Sequence, residues 1–387
     1  MAEYSISQIN SFLLRKQHLT ENTKIQSVAQ VTKDIWGLHA TNAGTPYLSL
    51  FTRMNNFSKD SLDREIIEKR LVKIRCVRKT VHIIPKENVS IAFSATKEAI
   101  QINSEKYYKF MGVSESEYRN TSEAILSLLG NKGMNASEIK KELNLEINLS
   151  PIINYMCDVG ILVRGLSKAG WKSNAHTYYR MDKYLPEVNI NQYSQEEARK
   201  KLVRQYLSSF GPVTLTDIAW WAGFPKTEVK SIVDSLEDID YVNISGLGEY
   251  LISSNDKDLL KNVKENNKPE INLLPNLDPY IMGYKERERY LDKEHYNYIF
   301  DRSGNATTTF INNGKIIGVW DFEEKPSPTV KVFLFERHII KEIEKKAKEI
   351  GKFISSQEPS FKICKDMAPL DKRTVGSFMA PLKDMDG

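Results

Sequence analysis

Three short helical patterns closed by paired β-type runs recur along the first two-thirds of this 387-residue chain, and the last third is enriched in strand-formers and aromatics. Together with a hairpin signal at Asn313-Gly314, these observations predict an α+β protein. It would consist of three tandem winged-helix domains followed by a small C-terminal β-barrel-like domain. The expected boundaries are 1–118, 119–192, 193–266 and 267–387.

The first domain begins with SISQINSFLLRKQ, where Ser5 or Ser7 can cap a helix and apolar residues recur at helical spacing. A second helix is expected from Asn22 or Thr23 to the stop at Gly37, and a third from near Pro46. Ile74, Cys76, Val77, Val81, Ile83 and Ile84 are β-type residues ending at Pro85, which predicts one or two short strands. The second copy has helices over 121–129, 135–143 and 150–160, the last with Pro151 in its first turn, then a hairpin over 161–181. The third copy starts near Gln195. A helix runs over 196–210, two more follow the Gly211-Pro212 turn, and YVNISGLGEYLI makes a hairpin. Residues 256–268 are mostly charged or Asn and read as a solvated linker. Beyond it, 298–300, 307–311, 316–320 and TVKVFLF are strand-like, and a charged helix is expected over 339–350.

Composition narrows the function classes. The chain is 41% hydrophobic, enough for packed cores, and with 10% aromatics it is not a disordered polymer. No uncharged apolar run reaches the roughly 18–20 residues that a membrane span needs. The N-terminal segment lacks a secretory pattern, so a cytoplasmic protein without a membrane partner is expected. Cys76, Cys157 and Cys364 are far apart and form no CxxC, which argues against a disulfide framework and a zinc site. No metal or cofactor is expected. Phosphate-loop, dinucleotide, HExxH and GxSxG motifs are missing. The net charge of +5, from 55 basic and 50 acidic residues, permits a polyanionic partner without demanding one. Since helix-turn-helix units dock on duplex DNA, DNA is the expected partner.

Five segments then carry a resemblance. Gly37-Leu38-His39-Ala40-Thr41, followed by Pro46 and Arg53, resembles a "GLQxQ…P…R" segment. Val77 to His82, VRKTVH, resembles "RGTLH". YLSSFGPVTLTDIAWWAG is similar to "GPxTxxDxxxWxG". LLPNLDPYIMGYKER is similar to "LLPxxDxxLxxxxxR", with Ile281 in place of the second Leu. The Asn313-Gly314 hairpin with Ile317-Gly318-Val319-Trp320 resembles a "VxGxVxGxW" strand pair. In this order, and over nearly the whole chain, these segments resemble the AlkZ/YcaQ-like winged-helix DNA glycosylase family.

The resemblance implies a monomeric enzyme with a basic concave surface. It would hydrolyse the N-glycosidic bond of alkylated bases, crosslinked ones included, in duplex DNA. The family's catalytic Gln-x-Gln or Gln-x-Asp pair corresponds to His39 and Thr41, both substituted here. N-glycoside hydrolysis expels the base and leaves a cationic sugar. An alkylated purine already carries positive charge and departs with little acid help. The protein must then place a water: His39 can accept its proton near neutral pH, and Thr41 can orient it. The two face one way only if the segment is extended, which Gly37 permits.

Other readings stay open at each position. His39 and His82 can be hydrogen-bonded structural histidines. Thr41 followed by Asn42 can cap the helix that begins near 44–46. Arg53 can pair with a carboxylate instead of a phosphate, and Asp278 before Pro279 can be a turn-former. Trp220 and Trp221 suit a core. Strand alternation would put Arg78, Thr80 and His82 on one face. The basic run Lys33, Arg53, Lys69, Arg70, Lys73, Arg75, Arg78 and Lys79 supplies phosphate-contact candidates. Candidate site residues are thus His39 and Thr41 as catalytic, with Asn42, Arg53, Arg75, Arg78, Lys79, Thr80, His82 and Asp278 binding DNA or lining the site. The alternative function is a non-catalytic winged-helix DNA- or lesion-binding protein; a protein-binding module is a third.

Overall fold

The computed structural model describes residues 2–266, 268–336 and 339–372. They divide into two compact units: Met1–Ser27, Thr45–Phe57 and Tyr206–Gly387 form one, and Val28–Gly44 with Ser58–Gln205 form the other.

The second of these units is built on a six-stranded antiparallel sheet. Its order is Leu38–His39, Val81–Pro85, Leu71–Arg75, Leu162–Ser167, His176–Arg180, Met134–Asn135. The two hairpins expected as separate wings are joined in this sheet through the Lys73–Arg164 pair. Helices include Val28–Asp34, Lys59–Ile67, Val89–Phe110 and Ser150–Asp158. Ile125, Leu129, Ile139, Ile152, Ile153 and Met156 form a cluster shielded from water, the main source of stability for such a unit. The helix expected from Thr121 begins six residues earlier, at Glu115. There Ser114 and Glu117 make a reciprocal capping box that satisfies both helix-start amides. Asn135 and Glu138 do the same for Ala136–Glu142.

In the other unit, helices Leu215–Ala222 and Lys226–Asp234 precede the hairpin Ile239–Ile244/Gly248–Ser253, against which Glu3–Tyr4 pairs in parallel. Trp221 is core, as expected, packed on Tyr206 and Phe210. The C-terminal part is an open five-stranded sheet, Ile271–Leu274, Thr309–Asn312, Lys315–Glu323, Thr329–Leu334 and Ser360–Ile363. The expected barrel is therefore corrected, because the first and last strands do not pair and closure requires that they do. The sheet buries a face instead under helix Ile340–Ser355, whose stripe of Ile343, Ala347, Ile350 and Ile354 repeats at helical spacing. Asn313 and Gly314 turn the hairpin with φ of 47° and 82°, as the dipeptide predicts.

Three local expectations fail. The helix expected from Asn22 or Thr23 begins only at Val28, because Ile25 instead bridges to Met54. Tyr298 and Ile299 belong to a short helix, Tyr296–Ile299, and Phe300 makes an isolated bridge to Ala306 instead of continuing a strand. The expected linker at 256 starts inside a helix, Ser254–Leu260, capped by Ser253 and tied down by an ion pair between Asp256 and Lys16. Asn267 lies outside the described residues. No described helix is long and apolar enough to cross a membrane.

Candidate active site

The strand Leu38–His39 exists because the chain stops being helical at Gly37. That glycine has φ of 125°, and a Cβ there would meet Ile84 Cγ2 at 2.8 Å and the Ile83 carbonyl oxygen at 3.0 Å. The following residues run extended along Val81–Pro85, with His39 opposite His82 and Leu38 opposite Ile83. Ala40 N–H donates to the Val81 carbonyl at 2.7 Å. Directly opposed residues share a face, so His39, His82 and Ile74 project to one side of the sheet.

The two imidazoles lie 4.9 Å apart between ring centres, and the Trp36 indole meets His82 edge-on at 5.9 Å. His39 is 6% exposed. Its Nδ1 accepts a long 3.5 Å hydrogen bond from the Thr41 N–H. His82 Nδ1 donates to the Thr80 carbonyl at 3.2 Å and sits 3.7 Å from Cys76 Sγ. Burial, then the neighbouring His82 and Arg78, hold His39 well below its ordinary value. Burial pushes His82 down to about 4, against the raising effect of its bond to Thr80 and with a further lowering from Arg78. Both rings are neutral at pH 7. Thr41 itself is exposed and Asn42 half-buried. The helix after them begins at Thr45, so Thr41 is not its cap.

Arg78 is not on a strand face with Thr80 and His82, which corrects that expectation. Val77–Lys79 is a tight turn at the hairpin tip, with Arg78 and Lys79 at φ of 53° and 57°. Non-glycine residues seldom adopt this left-handed backbone. The Thr80 hydroxyl donates to the Val77 carbonyl at 3.0 Å and braces the turn. Lys79 is exposed and Arg78 half-buried.

Much of the expected phosphate-binding run is buried or already paired with carboxylates. Arg75 donates to the buried Asp158 at 2.6 Å. Lys73 is buried on the opposite sheet face beside Arg164, and burial first, then Arg164, lower it to about 8. Arg70 is paired with Glu65 and Glu68. Arg53 and Asp278, both fully buried, form a bidentate ion pair at 2.7 and 2.8 Å in the other unit. Asp278 also accepts from Ser49 Oγ and from the Tyr280 N–H, where it caps Pro279–Met282. Neither residue lines an accessible site. Their role is to lock helix Thr45–Arg53 onto the segment that follows strand Ile271–Leu274. The structure thus brings together His39, Thr41, Thr80, His82 and the 78–79 tip, removes Arg53 and Asp278 from open surface, and leaves Arg75 half-buried and paired.

Trp36 and Cys76 are the neighbours that sequence reasoning missed. Trp36, itself at φ of 60°, donates through Nε1 to Gln205 at 3.2 Å, and Gln205 in turn donates to Asn88. Its position next to the Gly37 stop was the available signal. Among the described residues no group of three His, Cys, Asp or Glu side chains is arranged to hold a metal.

The α+β fold is similar to that of a solved structure. The Streptomyces sahachiroi DNA glycosylase AlkZ superposes with a TM-score of 0.74 over 93% of this chain and 100% of that one, at 18% identity. A curated Streptomyces sahachiroi protein described as an interstrand DNA cross-link repair glycosylase is 18% identical over 361 residues, 89% of this chain and 95% of its own. Residues 32–353 match the AlkZ-like DNA glycosylase family, and the chain belongs to that family.

Proposed function

We propose that this protein is a monofunctional DNA glycosylase that hydrolyses the N-glycosidic bond of alkylated bases in duplex DNA. Bases joined in interstrand crosslinks, the lesion in the relative's name, are included. The observation that supports the reading is the segment that follows Gly37, in which the Thr41 N–H reaches His39 Nδ1, in a chain of the AlkZ-like DNA glycosylase family.

An alkylated purine is a good leaving group, so the protein's task is to hold a water against the developing sugar cation. The long bond from Thr41 N–H leaves the His39 Nδ1 lone pair weakly engaged. A water seated between Nδ1 and the exposed Thr41 hydroxyl can be oriented by both. A neutral imidazole accepts from that water without prior deprotonation. Arg78, Lys79 and Asn42 would contact phosphates, and His82 with Thr80 would hold His39 in place. The three helix-plus-hairpin repeats would act as winged helices that bind DNA by phosphate contacts and shape. We place the protein in the cytoplasm as a monomer without cofactor.

A second reading, a non-catalytic lesion binder, is favoured by the burial of His39 and by the loss of the family's glutamine pair. Incubating the protein with duplex DNA bearing an N7-alkylguanine and measuring the free base released separates the two. Release of alkylguanine supports the glycosylase, and salt-sensitive binding without release supports the binder.

A further inference from the structure

Helix Val89–Phe110 leaves an apolar face open to water over its second half. Residues 99, 102, 103, 106, 107 and 110 share one side at helical spacing, and Met111 follows directly. Phe110 is 86% exposed, and Ile102, Tyr107 and Met111 are 43–48% exposed. Isolated apolar residues are ordinary on a protein surface, whereas several gathered on one face mark an interaction site.

This end of the helix is firmly supported. Tyr108, on the opposite side, is buried, stacks on Tyr118 at 5.2 Å and meets Tyr155 at 5.0 Å between ring centres. The capping box of Ser114 and Glu117 starts the next helix just beyond it. Phe110 and Met111 are therefore presented on a fixed platform.

The face lies at the end of its unit that carries the tight turn Val77–Lys79. The helix starts after Pro85, at the far end of strand Val81–Pro85, and packs against the turn as it returns. Gln101 Nε2 donates to the Asp158 carbonyl at 3.2 Å, and the Asp158 carboxylate pairs with Arg75, two residues before the turn. From Gln101 the helix continues to Phe110, about 14 Å further at 1.5 Å per residue.

Most charges beside the face are matched. Lys109 pairs with Glu105 at 2.5 Å and Arg119 with Glu115 at 3.7 Å, while Glu117 is engaged in its cap. Lys79 and Lys106, both exposed, form no ion pair among the described residues. Apolar side chains flanked by lysines suit duplex DNA, where a wedge of Phe, Met or Ile enters a base step and cations meet the phosphates around it. Chemistry on a base requires that it leave its stack, and opening a base step assists that.

We infer that this helix end is a wedge for duplex DNA. Phe110, with Met111 beside it, enters a base step, and Lys79 and Lys106 meet neighbouring phosphates. The choice of DNA as partner rests on the glycosylase reading, but the test needs no excision. The full-length protein is titrated onto a duplex carrying 2-aminopurine next to an N7-methylguanine whose 2′-fluoroarabinose resists hydrolysis. Fluorescence of the aminopurine rises at saturation as its stack opens. Phe110→Ala binds about tenfold more weakly, the scale of one lost base–aromatic contact, and gives no rise at saturation, with Tm unchanged because the ring is exposed. Phe110→Trp keeps the rise. No rise with bound wild-type protein, or a rise that persists in Phe110→Ala, overturns the wedge and leaves the glycosylase reading standing. A rise that depends on Phe110, without release of base from the ordinary deoxyribose substrate, supports the wedge and overturns the glycosylase reading. Self-association of the wild type that Phe110→Ala abolishes gives the face to a second copy of the chain and overturns the wedge.

Discussion

The histidines set how the protein responds to acid. His39, His82 and His176 are all lowered by burial, His82 to about 4 and His176 to about 3. In the unfolded chain each takes up a proton near its ordinary value of about 6.5. The unfolded state therefore binds more protons than the folded one as pH falls below that value. Stability is full above pH 6.5 and declines below it, by as much as about 1.4 kcal/mol per pH unit for each histidine. Urea unfolding at pH 7.5 and 5.0 checks this: the midpoint drops at pH 5.0, and His82→Gln reduces the drop. An unchanged midpoint would show that these rings are solvated. The same shifts move the expected rate profile. Sequence alone puts the limb of a histidine base near pH 6–7, whereas a lowered His39 stays unprotonated there. Excision is expected to be flat from pH 6 to 8 and to fall only in more acid solution.

At the scale of elements, the Arg53–Asp278 pair decides more than any surface charge. Arg53→Met leaves a buried carboxylate without its cation and is expected to cost about 3–5 kcal/mol in denaturant unfolding. Adding Asp278→Leu removes that stranded charge and is expected to recover part of the loss; no recovery would mean that the pair does not act as a unit. The hairpin turn is a second lever. At Gly314, with φ of 82°, a Cβ would meet Tyr280 Oη at 2.6 Å and Asn10 Cβ at 2.9 Å. Gly314→Ala is expected to destabilise by more than about 1 kcal/mol, read from the same unfolding curves. Turn chemistry of this kind was legible in the sequence, as was the cap at Ser5, because each depends on neighbours within a few residues. The start at Ser114 carries the same local signal in Glu117 and was overlooked.

For the whole molecule, the sequence conveyed the order of helices and hairpins but not what the hairpins pair with. Joining 71–85 to 162–180 through Lys73 and Arg164 is a long-range event, and period-2 alternation does not encode a partner. The open C-terminal sheet was hidden for the same reason, since closure depends on the first and last strands meeting. The site was half legible. The glycine stop at Gly37 and the extended segment after it could be read, while the burial of His39 against His82, itself met edge-on by Trp36, could not. Arg53 and Asp278 were noticed as motif residues, yet only the fold shows that they bind each other. The proposed task of the His39–Thr41 segment is to position water for base excision. Single-turnover release of N7-methylguanine from duplex DNA tests it, comparing wild type with His39→Ala at matched DNA affinity. A fall of about a hundredfold or more is the predicted result. Release by His39→Ala at the wild-type rate would contradict it.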